Sequence, residues 1–352
     1  MAVSNRALFG QRWANDEFLK QYGDPEYIKD LLLARRDFLR LRRQEEFAIR
    51  HIYEKAAQEV AKQITKLSPG TGELTKRHLT ALERALTEAA EQINREVQKL
   101  VKDSIRKSVD LSTRPMDNLF MRAVKKANVG LDTAVIQWGF AQVNEAAVEA
   151  LWARTHKGLR VSDRIWKVSQ NAKASLRSFV QTGVATGRGT IDIAKDLQRY
   201  VKTDIRTLAT DYPNMMKRVG MKSRIPKDLS YEALRLVRTE KAKAYNEGVY
   251  ARGRVNPSYQ GVKWMLSDAH PVEDICDTLA EQDLYGMGAG VYPEGQEPVV
   301  PHPNCLCFTV PVLLPMEDMV DKLVEWLNNP SSQEEIEEWY RTFYLPTRRR
   351  AS

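Results

Sequence analysis

The sequence predicts a mainly α-helical protein, with an elongated helical bundle N-terminally and a small α+β module near the C-terminus. That module should hold a short β-sheet and an irregular Cys/His loop. Apolar residues recur at helical spacing from Pro25 to about Lys202. After Asn256-Pro257 the period shortens to two, with Val262, Trp264 and Leu266 alternating with Lys263 and Met265. Between Asp268 and Pro301, glycine and proline punctuate the chain as they do in turn-rich loops.

In chain order, Ile52, Ala56, Val60 and Ile64 line one face of a long helix, which Ser68-Pro69-Gly70-Thr71-Gly72 ends. Leu79, Leu82, Leu86, Ile93, Val97 and Leu100 form a near-heptad stripe suited to an antiparallel partner across that turn. Arg114-Pro115 marks a further boundary, because proline lacks the N–H that a helix interior needs. Helices with Leu119, Val124, Val135, Trp138 and Phe140, then Trp152, Ile165, Val168, Leu176 and Val180, follow. Gly187-Arg188-Gly189 breaks the pattern, and Thr190 caps a helix through Ile193, Ala194 and Leu197. A polar segment runs from Asp211 to Asp228, and Ser230 caps a helix whose Leu234, Val237 and Tyr245 face inward. Leu306, Phe308, Val310 and Val312 alternate with Cys305, Cys307 and Thr309 as a second strand. Two short amphipathic helices, one with Met319, Leu323 and Leu327 and one with Ile336 and Trp339, precede a disordered basic tail, Thr347 to Arg350. The implied organisation is a helical docking region over 1–186, a compact module over 187–314, and terminal helices over 315–352.

At 352 residues and 43% hydrophobic content the chain can bury real cores without disulfide staples. Three cysteines, no signal peptide and no apolar run approaching about 18 residues point to synthesis in a reducing cytoplasm and to no membrane segment. The net charge of +8 favours an anionic neighbour, nucleic acid or an acidic protein surface.

Two of the three cysteines lie in His302-Pro303-Asn304-Cys305-Leu306-Cys307, and the third is Cys276. On a strand, Cys305 and Cys307 would point the same way, and Cys276 and His302 would complete four ligands of the kind zinc prefers. Leu279 stands where a paired C-x2-C motif would place a second cysteine, so thiols packed as small hydrophobes are the competing reading.

The order Gly187-Arg188-Gly189, Arg238-Thr239-Glu240 with Ala244 and Asn246, Trp264, Asp268, Asp274-x-Cys276 and His302-Pro303-Asn304-Cys305-x-Cys307 resembles the phage Mu F-like head morphogenesis family. The resemblance covers about residues 170 to 313, with Leu306 where the family commonly has arginine. It implies a low-copy minor head protein inside the virion, acting with portal, scaffold or major capsid protein in procapsid assembly and in DNA packaging or ejection. Arg238, Glu240, Trp264, Asp268, His270 and Asp274 are then structural motif residues, and one structural zinc is the implied cofactor.

Two other classes compete. Sequence-independent binding of packaged double-stranded DNA would use Arg36, Arg40 and Arg43 with Arg348, Arg349 and Arg350. A zinc-dependent hydrolase or transferase would use His270, Glu273 and the Cys305/Cys307 pair. Its deaminase form requires H-x-E and C-x-x-C, whereas this chain has His270-x-x-Glu273 and Cys305-x-Cys307. Four protein ligands also leave a zinc no open position for water. The expectation is therefore a non-enzymatic protein.

Overall fold

A computed structural model describes residues 24–67, 76–186, 188–201, 229–267, 270 and 273–351. The polar segment from Asp211 to Asp228, the glycine turn's Gly187 and the motif residue Asp268 lie outside them. The fold is mainly α with a small sheet near the C-terminus, as the sequence predicts. The helices are α1 (Pro25–Leu67), α2 (Lys76–Ala127), α3 (Thr133–Ala153), α4 (Val161–Ala185), α5 (Thr190–Val201), α6 (Tyr231–Gly253), α7 (Ile275–Glu281), α8 (Met316–Asn328), α9 (Glu334–Trp339) and α10 (Leu345–Ala351). The strands are β1 (Thr155–His156), β2 (Leu159–Arg160), β3 (Tyr259–Met265), β4 (Val291–Pro293) and β5 (Phe308–Leu313). No helix among the described residues is long and apolar enough to cross a membrane.

The described residues form two compact units, each assembled from segments distant in sequence: those within 24–41, 103–152 and 238–351, and those within 42–102 and 153–237. In the second unit, Leu82, Leu86, Ile93 and Val97 are buried as the near-heptad stripe requires, and Ile52, Ala56, Val60 and Ile64 are buried too. Lys55 lies 3.7 Å from Glu96, an exposed pair that contributes little by itself. Helices α4 and α5 pack closely because Gly183 has no side chain: a Cβ there would stand 2.6 Å from Ile193 Cγ1. Lys157 and Gly158, with φ of 51° and 77°, make the tight turn that joins β1 to β2.

The sheet belongs to the first unit. Strand β3 lies between β4 and β5 and pairs antiparallel with both, Val262 opposite Tyr292 on one side and Pro311 on the other. Pro311 is tolerated because β5 is an edge strand. Its carbonyl accepts a 2.6 Å hydrogen bond from the Tyr27 hydroxyl. Asn246 Oδ1 accepts from both the backbone N–H and the hydroxyl of Thr309, each at 2.9 Å, which fastens α6 to β5. Leu31, Phe38, Tyr245, Trp264, Phe308 and Val310 share one core, so the N-terminal turns of α1 pack directly on the sheet region. A second core joins Phe120, Phe140, Met319, Leu323, Ile336 and Trp339.

Three expectations are corrected. Pro115 does not end a helix; α2 runs through it to Ala127. Its neighbours Met116, Leu119 and Phe120 are buried, and that burial offsets the missing hydrogen bond. The segment from Asp268 to Pro301 is not wholly irregular, since it holds α7 and β4. The basic tail is helical: Tyr344 and Thr347 are buried, and Gly139 admits Phe343 and Thr347, both of which would stand 2.8 Å from a Cβ there. The hydroxyl of Tyr344 also accepts from the Asp132 N–H at 2.8 Å.

Arg252 is buried beneath α2 and α3. Its guanidinium lies 4.1 Å from the Phe140 ring centre and 3.3 Å from Asp117. Burial pushes the Asp117 carboxyl up to about 7 from 3.8, against the pull of Arg252. The folded state therefore binds the extra proton more tightly than the unfolded chain does. Stability from this residue is full below about pH 4 and is lost as pH rises through about 7. Asp117→Asn is expected to flatten that dependence by roughly 1–3 kcal/mol. Urea unfolding of both proteins at pH 4.5 and 7.5 measures it, and a wild-type minus variant difference equal at the two pH values refutes it.

Candidate metal centre

The centre forms where α7 begins beside the approach to β5. Asp274 is the N-cap of α7: its carboxylate accepts from the Cys276 N–H at 2.7 Å, while Asp277 Oδ2 accepts from the Asp274 N–H at 2.7 Å. This capping box places Cys276, fully buried, in the helix's first turn. From the other side, Asn304 turns the chain with φ of 61° and donates its N–H to Thr239 Oγ1 at 3.2 Å. Cys305, Leu306 and Cys307 then precede β5, which begins at Phe308. The expected strand through both cysteines is thus corrected, yet both thiols are buried. Arg35 fixes this approach by donating to the Leu306 carbonyl at 2.6 Å and lying 3.9 Å from the Phe308 ring centre.

Cys276 Sγ lies 3.5 Å from Cys305 Sγ and 3.3 Å from His302 Nε2. Cys307 Sγ lies 3.7 Å from His270 Nδ1. Zinc–sulfur bonds of about 2.3 Å put tetrahedral ligand atoms about 3.5–3.8 Å apart, close to these three separations. His270, Cys276 and Cys307 form one mutually close set, and Cys276, His302 and Cys305 another. The Cys/His cluster can therefore hold a metal ion.

All four expected ligands, Cys276, His302, Cys305 and Cys307, come together, and His270 joins them. His270 Nε2 lies 2.8 Å from Asp277 Oδ2. A carboxylate only accepts, so the neutral ring donates from Nε2 and keeps the Nδ1 lone pair for the thiols. Sequence spacing concealed this role, but a histidine four residues before a capping aspartate, with a second aspartate three beyond it, is the signal that marks it.

Electrostatics prepare one thiolate. Hydrogen bonds from Cys276 and Cys305 outweigh burial and hold Cys307 well below the ordinary thiol value, helped by the Ser267 backbone. Cys276 is pushed up by its bonds to Cys305 and Cys307 and by burial. For His270, burial lowers the pKa but Asp277 and Cys307 together raise it above its ordinary value. No protein-family model, curated protein or solved structure matches the chain.

Among the other motif residues, Trp264 is buried in the core beside this centre. Glu240 is buried on α6 with Lys243 at 3.9 Å, and Arg238 on the same helix is half-buried. Of the arginines assigned to DNA, Arg36 engages Asp37 at 2.7 Å. Arg40, Arg43, Arg348, Arg349 and Arg350 are exposed.

Proposed function

We propose that this protein is a minor head protein of a tailed phage, a low-copy internal component of the capsid that works with the portal during procapsid assembly and DNA packaging or ejection. The observation that carries this reading is the gathering of the ordered motif, Thr239 and Asn246 on α6, Trp264 on β3 and the Cys/His segment, around one core. The centre then holds one structural zinc through Cys276, Cys305, Cys307 and His270, with His302 at its edge. His270 is preferred because Asp277 orients it and its side chain is 11% exposed, against 35% for His302. A closed Cys3His set favours a structural over a catalytic ion.

Cosedimentation of the full chain with portal-containing procapsids tests the proposal. Retention at a few copies per particle, resistant to about 0.5 M salt, is expected, because exposed electrostatic contacts are screened there. Absence from procapsids and mature particles, or turnover by the isolated protein, overturns it. The exposed arginines support DNA contact as a second reading, and its mark is a steep salt dependence of duplex binding.

A further inference from the structure

A polar cleft of about 660 Å³ lies in the first unit, walled by α2 and α3. Its walls follow helical spacing: Asp110, Thr113, Asp117, Met121 and Lys125 come from α2 with Arg122 beside them, and Gln137 and Asn144 from α3. Its volume falls within the range of small-molecule sites, about 300–1,000 Å³.

The charges on the walls are unevenly satisfied. On the acidic side, Glu145 is engaged by Arg106 through two 2.8 Å hydrogen bonds, Asp110 accepts from Asn144 at 2.9 Å, and Asp117 faces Arg252. On the basic side, Arg252 has a fully buried side chain and gives Nη2 to the Phe140 carbonyl and Asn144, but its Nη1 meets no acceptor among the described residues. Arg122 gives Nη1 to Asp30 at 2.9 Å and its Nη2 lies 3.7 Å from Asp24, while its Nε and Nη2 make no hydrogen bond. Lys125, also on the wall, is exposed and has no acidic partner within ion-pair distance among the described residues. With Glu145 and Asp110 already hydrogen-bonded, the guanidinium N–H groups that still lack an acceptor select a ligand that only accepts.

We propose that this cleft binds a small molecule bearing an oxyanion, phosphate or carboxylate, which Arg252, Arg122 and Lys125 hold. Guanidinium groups present forked donors that match either head group, and the cleft leaves room for a body beyond it. Nothing in this site overlaps the Cys/His centre, and the inference stands apart from the proposed assembly role.

Titration calorimetry of the full chain at pH 7 tests it, with inorganic phosphate and succinate as separate probes at constant ionic strength. Saturable one-site binding of at least one probe is expected. The wall variants Arg122→Gln and Lys125→Gln should each weaken it at least tenfold, while Lys322→Gln, which removes the same charge from α8, leaves it within twofold. Circular dichroism melts confirm that the variants fold, and exposed Lys125 gives the change least able to disturb packing. No saturable binding of either probe overturns the proposal. So does equal weakening by Lys322→Gln, or binding of a DNA duplex where both small probes fail.

Discussion

The Cys305→Ser/Cys307→Ser variant is expected to purify with less than about a tenth of the metal retained by the wild type, because two of the three thiolates that make the centre strong are lost. Elemental analysis reads this directly. Stability should fall with it by roughly 3–5 kcal/mol, since the serines replace buried thiols and the turns on both sides of the centre lose their common anchor. For a unit of this size that is a drop of roughly 10 °C in melting temperature. A strong chelator should lower the wild-type midpoint and leave the variant unmoved. Asp277→Asn gives a finer test: His270 keeps a hydrogen-bond acceptor but loses the carboxylate, so affinity should fall by about 10–100-fold while the fold persists. Wild-type protein that carries no metal after purification and gains no stability from added zinc would refute the centre.

Gly261→Ala should be among the most damaging single changes in the sheet. The backbone there has φ of +139°, and a Cβ would stand 2.1 Å from the Tyr292 carbonyl oxygen and 2.9 Å from Pro293 Cα. Both obstacles are backbone of β4, which cannot swing aside as a side-chain tip can. Either the bulge between Tyr259 and Gly261 or the pairing of β3 with β4 must yield. The cost should be roughly 3–5 kcal/mol. Gly286 serves as the control: its φ is +68° but nothing lies within 4 Å of an added Cβ, so Gly286→Ala should cost only about 1 kcal/mol. Equal melting temperatures for the two variants would show that close approach is not what fixes glycine at 261.

Much of this fold is legible in the sequence because burial imposes periods. The stripe through Leu82, Leu86, Ile93 and Val97 is buried as written, and the alternation through Val262 and Trp264 marks β3. The misreadings share a cause: a local signal was overridden by distant partners. Pro115 is a helix breaker in isolation, yet its neighbours lie in cores with segments far along the chain. Arg348 to Arg350 read as a solvated tail, but Tyr344 and Thr347 anchor the helix before them against Asp132 and Gly139. At the metal centre, cysteine scarcity pointed to Cys276, His302, Cys305 and Cys307. His270 was concealed because its role depends on Asp277, and only the capping box at α7 brings that carboxylate to its ring. Arg252 and its cleft left no trace in spacing, since Arg252 lies on α6, over a hundred residues of chain beyond the α2 and α3 residues that wall the cleft.

The hydrogen bond from Tyr27 to Pro311 has a consequence for how the chain matures during synthesis. The strand that receives this hydroxyl leaves the ribosome long after α1 has been made. Leu31, Leu32 and Phe38 must wait for Tyr245, Phe308 and Val310 before their core can close. At about 5–20 residues per second of translation, that wait is roughly 15–60 s, a period in which the nascent chain displays sticky, incomplete surface. Yield of soluble protein should therefore depend on chaperone supply and growth temperature more steeply than the finished molecule's own stability would suggest.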